Sequence, residues 1–113
     1  MTRAHRRSPR SARLQAEVEF WARRLGTRPE VIYVQAMKKK WASCRPAARK
    51  LYFSADLSEE PKSFRDAVIV HELLHLRLSN HGKLFKSLMD SFVPDWAEVA
   101  KGRSVTVCGT GPR

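Results

Sequence analysis

His71-Glu72-Leu73-Leu74-His75, with His81 six residues further on, holds the residue types of metal-assisted hydrolysis. On a helix, residues four apart share a face, so the imidazoles of His71 and His75 can point at one atom. Glu72 lies one position round from His71. Its carboxylate then stands beside that atom, near enough to take a proton from a metal-bound water without ligating the ion. Two His as zinc ligands and a Glu as general base is the chemistry of the H-E-x-x-H pattern. A catalytic zinc takes three protein ligands and leaves a fourth position to water. His81 is the third ligand on this reading, giving one Zn2+ per chain.

The third ligand constrains the backbone. A helix continuing from His75 would carry His81 about 9 Å along its axis, out of reach of the same ion. The helix must therefore end and the chain must fold back. Ser79-Asn80 is the expected stop, because Asn tolerates the left-handed conformation that closes helices. The competing reading is a half-exposed helix whose histidines bind nothing. Against it, three of the four histidines in the chain lie within residues 71–81. The preceding Ala67-Val68-Ile69-Val70 is apolar on every side, which buries the helix there, and buried imidazoles need partners.

The elements that must position this motif follow from periodicity. Residues 1–12 show no apolar period and read as a basic flexible arm. From Arg13 to Leu25, Leu14, Val18, Trp21, Ala22 and Leu25 recur at helical spacing, and Gly26 closes the helix. Val31–Met37 and Arg49–Ser54 read as strands, with Trp41–Cys44 extended between them. These make a small antiparallel sheet of two or three strands, which needs helices against it to be stable. Asp56–Pro61 reads as a helix start, and the motif helix is expected from about Pro61 to Leu78. Leu84, Phe85, Leu88, Met89 and Phe92 mark a helix after His81, and Pro94–Lys101 a last short one anchored by Trp96. The expected domain is 13–101, with 102–113 a tail.

At 113 residues the chain is one domain. No run of eighteen apolar residues is present, so no membrane span is expected. The basic N-terminus is followed by no apolar stretch and does not read as a secretory signal. Cys44 and Cys108 are too few for a disulfide framework, which fits a reducing cytoplasm. The net charge is +11, and all of the excess lies in residues 1–50, since residues 51–113 balance. A basic half suits nucleic acid, with Arg3, Arg6, Arg7, Arg10, Lys38, Lys39 and Lys40 as the candidate contacts. A solvated basic surface is the equal alternative.

Trp41-Ala42-Ser43-Cys44, Val70-His71-Glu72-Leu73-Leu74-His75-Leu76, Asn80-His81 with Phe85, and Pro94-Asp95-Trp96 stand in one order along the chain. In this order they resemble the YgjP-like (M48-like) zinc metallopeptidase domain, and the resemblance spans about residues 31–101. WLM and SprT-like proteases are similar in their minimal zincin core. The resemblance implies an α+β fold of minimal zincin-like type, a small sheet packed on an H-E-x-x-H active-site helix with flanking helices. It implies zinc as cofactor, His71, His75 and His81 as ligands, and Glu72 as catalytic. Ala42 stands where the family usually has Gly, a mild change unless that position needs a positive φ.

The leading expectation is a zinc metallopeptidase acting on protein or peptide, with an extended substrate aligned along a sheet edge supplied by residues 49–54 or 41–44. A second is a nucleic-acid module with structural zinc, and a third is a peptidase directed to DNA-bound substrates. An intact Glu72 favours catalysis, because a structural zinc has no use for a base. Tyr33, Tyr52 and Arg77 are possible oxyanion donors, but each reads better as structural. Asp95 or Glu98 is the expected hydrogen-bond partner for a ligand imidazole.

Overall fold

The computed structural model describes residues 9–100. Four helices and three strands follow one another as α1 (Pro9–Leu25), β1 (Val31–Gln35), β2 (Ala42–Arg45), β3 (Lys50–Ser54), α2 (Lys62–Leu74), α3 (Lys83–Phe92) and α4 (Trp96–Ala100). No helix among the described residues is long and apolar enough to cross a membrane.

α1 buries Leu14, Val18, Trp21, Ala22 and Leu25, the stripe its spacing dictates. It begins earlier than expected. Residues 9–12 are helical rather than part of an arm, and residues 1–8 lie outside the described residues. Arg10 pairs with Glu59, which gives the first turn a tether that apolar periodicity does not reveal. At the other end Gly26 has φ +70. That left-handed residue lets Thr27 N–H donate to the Ala22 carbonyl at 2.9 Å and Gly26 N–H to the Arg23 carbonyl at 3.3 Å. The carbonyls left open at the helix end are thereby satisfied.

The sheet is mixed rather than antiparallel. Its strand order is β1-β3-β2. β3 runs antiparallel to β2 and parallel to β1, with Ile32 opposite Leu51 and Val34 opposite Phe53. β3 takes the centre because Leu51 and Phe53 are both 0% exposed, whereas β1 is only half-buried along its length. Leu51, Phe53, Ala42 and Cys44 face one way, toward the helices. α1 packs on β1, α2 packs on β2, and the two helices pack on each other. Ala42 does not have a positive φ, so standing in for Gly costs the backbone nothing.

The approach to the motif helix also differs from expectation. Residues 55–59 form a separate 3-10 turn, capped by Ser54, whose hydroxyl accepts from Asp56 N–H. Pro61 caps α2 from outside, its carbonyl accepting from Phe64 and Arg65 N–H. Two cross-links hold α2 to α1. Trp21 donates its indole N–H to Asp66 at 3.0 Å, so Asp66 is used structurally. The Arg65 guanidinium grips Glu17 with two bonds, 2.9 and 2.8 Å, and donates a third to the Glu60 carbonyl. The bond to Glu17 holds Arg65 above its usual pKa, against the opposing effect of burial.

These side chains are only 14% and 21% exposed. Glu17→Ala would leave a largely buried cation unpaired, and is expected to cost about 3 kcal/mol of stability. Urea unfolding measures it. A loss below about 1 kcal/mol would class the pair with exposed ones.

Candidate metal centre

α2 ends at Leu74, not at Leu78. Past that point three N–H groups reach back three residues, His75 to Glu72, Leu76 to Leu73 and Arg77 to Leu74, before Leu78 N–H reaches back four, also to Leu74. This tightened, 3-10-like turn takes the chain off the helix axis early. Two consequences follow. The carbonyl of Leu78 swings under the His75 ring, 3.1 Å from Nδ1. Ser79-Asn80 then lies beyond the helix, and Asn80 has a different task from the expected stop. Its Oδ1 accepts the Gly82 N–H at 2.9 Å, a side-chain turn that leads into α3.

The reversal brings the three histidines together. Their possible ligand atoms all lie within 4.8 Å of one another. His75 Nε2 is 3.3 Å from His71 Nε2 and 2.9 Å from His81 Nε2. Nitrogens sharing one zinc ion at ordinary bond lengths stand about 3.3 Å apart. The donor chemistry fits as well. A carbonyl only accepts, so Leu78 fixes the proton on His75 Nδ1 and leaves Nε2 a bare lone pair in the neutral ring. That lone pair faces two further imidazole nitrogens, which a cation satisfies.

Desolvation pushes the His71 pKa down from 6.5 to about 3, and the neighbouring His75 and His81 add to the shift. The ring is therefore neutral at physiological pH, as a metal ligand must be. Between about 3 and 6.5 the unfolded chain binds a proton at His71 that the folded, metal-free chain does not. The metal-free protein is thus expected to lose stability as pH falls from 6.5 toward 3. Denaturant midpoints across that range check this, and a flat profile would contradict it.

Phe85 of α3 is the part of the site that sequence reasoning did not assign. It is 2% exposed, and its ring centroid lies 5.1, 5.1 and 4.8 Å from those of His71, His75 and His81. One buried phenyl thus backs all three imidazoles. Its position four residues after His81 was the available signal, since that places it in the first turn of α3.

Glu72 is 0% exposed. It follows His71 directly and precedes His75 by three residues, so helix geometry makes it a neighbour of both. The hydrogen-bond partner observed for His75 is the Leu78 carbonyl rather than Asp95 or Glu98. Arg77 Nη1 lies 3.5 Å from the Leu25 carbonyl, and the side chain lines a cleft of about 360 Å³ with Arg24, Leu74, Leu78, Leu84 and Leu88. Tyr33 and Tyr52 stack on each other on the sheet, at 4.9 Å between centroids.

A three-stranded sheet packed on a helix that carries His71, with His75 at its C-cap and His81 on the segment beyond, defines a minimal zincin-like α+β protein. Residues 2–102 match the YgjP-like metallopeptidase domain, and the chain belongs to that metallopeptidase family. Two crystal structures share its fold. The metallopeptidase zymogen abylysin of Pyrococcus abyssi is similar with TM-score 0.67 and 18% identity, over 80% of this chain and 90% of that one. The metallopeptidase zymogen jannalysin of Methanocaldococcus jannaschii is similar with TM-score 0.66 and 22% identity, over 76% of this chain and 90% of that one. None of the curated proteins compared with the chain matches it in sequence.

Proposed function

We propose that the chain is a zinc-dependent peptidase in which His71, His75 and His81 hold one zinc ion and Glu72 is the general base. The observation that carries this reading is the convergence of three imidazole nitrogens within 4.8 Å, beside a fully buried carboxylate. Zinc bound by three neutral imidazoles supplies Lewis acidity, polarising a peptide carbonyl and bringing a water's pKa toward neutrality. A purely structural zinc would be closed by a fourth protein ligand, and among the described residues the cluster has three.

The chain's own residues have separate tasks. The Glu72 carboxylate takes the proton of the attacking water and delivers it to the leaving amine nitrogen. His75 keeps one tautomer and one orientation because its Nδ1–H is committed to Leu78. Phe85 keeps the imidazoles packed from behind. The substrate is a protein or peptide in extended form, laid along β2. β3 is the central strand and offers no edge, which removes residues 49–54 from consideration. β2 is the edge strand against which α2 packs, and its outer side has no strand partner among the described residues. A reducing, cytoplasmic setting accords with Cys44 as a buried thiol.

The test is hydrolysis of an unstructured protein such as casein before and after dialysis against a chelator. Activity is expected to vanish with the metal and return with one equivalent of zinc per chain. Undiminished turnover in the metal-stripped protein would refute the proposal.

A further inference from the structure

The sheet has a second face, turned away from the helices. Tyr33 of β1 and Tyr52 of β3 are register partners on that face, and their rings stack at 4.9 Å with an interplanar angle of 14°. The row continues onto β2, where the Arg45 guanidinium lies 5.9 Å over the Tyr52 ring. Lys50 is the register partner of Arg45. Tyr33 is 37% exposed, one of three large hydrophobic side chains open to solvent among the described residues. No described helix covers this side, since α1 and α2 both pack where Leu51 and Phe53 are buried.

Charge is concentrated in the same segment. Residues 28–54 carry Arg28, Lys38-Lys39-Lys40, Arg45, Arg49 and Lys50 against one acid, Glu30, a net +6 of the chain's +11. An aromatic row bracketed by cations is a poor match for an apolar partner and a close one for a polyanion with flat rings. Ring faces are available in a single strand of nucleic acid and hidden in a duplex.

We propose that this face binds single-stranded nucleic acid. A base stacks on Tyr33, and Arg45, Lys50 and the lysine run at 38–40 take the phosphates. The proposal rests on this face and not on the N-terminal arginines. Arg10 is engaged with Glu59, and Arg3, Arg6 and Arg7 lie outside the described residues. The histidine cluster is on the helical side of the sheet and this face is on the other, so the proposal does not rest on the peptidase reading.

The experiment is fluorescence anisotropy of the full chain with a labelled oligothymidylate of about twelve nucleotides, and with a duplex of the same length. The single strand is expected to bind in the micromolar range or tighter, more tightly than the duplex, and to weaken steeply between about 50 and 200 mM salt. Tyr33→Ala should lower affinity about tenfold or more, while Tyr33→Phe, which keeps the ring, should bind like the wild type. Arg45→Ala and Lys50→Ala should each reduce the salt slope by about one. Thermal midpoints and metal content of each variant confirm that the fold is kept. No binding at micromolar protein, equal affinity for the duplex, competition by polyglutamate as effective as by the oligonucleotide, or full affinity in Tyr33→Ala overturns the proposal.

Discussion

Glu72→Gln is expected to keep its metal and lose peptide hydrolysis by about 10²–10⁴-fold, the usual worth of a positioned general base. Gln has the shape of Glu and cannot take the proton. Glu72 is fully buried, and exchanging a charge for a neutral amide there lifts a desolvation cost. Stability should therefore hold or rise while the rate collapses. Metal analysis, a thermal midpoint and a turnover assay on the same preparation separate the outcomes. Loss of metal with loss of rate would make Glu72 part of the ion's support rather than a base, and retained turnover would dismiss it from the chemistry.

His81→Ala is expected to empty the site with little harm to the rest of the fold. His81 is half-buried on the segment between α2 and α3, outside both helices, and its contacts include the other two rings and Phe85. Losing a direct ligand should weaken zinc by more than the about 10–100-fold that follows loss of an outer hydrogen-bond partner. His75→Ala should do as much to the metal and more to the chain, because it also strips the Leu78 carbonyl of its partner. Zinc titration against a competing chelator measures the first effect and denaturant unfolding the second. Full zinc affinity without His81 would mean that another residue completes the site.

The histidine set was legible because it depends on residue identity and on one geometric fact, that a straight helix cannot deliver a ligand six residues past His75 to the same ion. The place of the turn was not. Asn80 and Ser79 look like a stop, yet the chain leaves the helix after Leu74, where no Gly, Asn or Pro marks it. The cause is partly tertiary: beside the local His75–Leu78 bond, all three rings pack on Phe85, a contact made only when α3 is in place. The sheet shows the same limit. Alternation in Lys50–Ser54 identifies a strand, and the short link from β2 implies a hairpin. That β3 passes between β1 and β2 follows from its deeper burial, which a local pattern does not rank. α1's early start likewise comes with Arg10 meeting Glu59, a contact across the chain.

All three histidines fall within residues 71–81, and this locality has a thermodynamic meaning. An ion that joins positions close in sequence closes a very short loop, and closing a short loop removes little freedom from the unfolded chain. The core around Leu14, Phe53, Phe64 and Ile69 spans α1, β3 and α2, and it meets the three histidines through Phe85. Folding can thus precede metal uptake. On the proposed reading the ion would act as a clasp on the α2–α3 corner rather than as a keystone, and supply of the ion, rather than the folding equilibrium, would set how much of the protein is active.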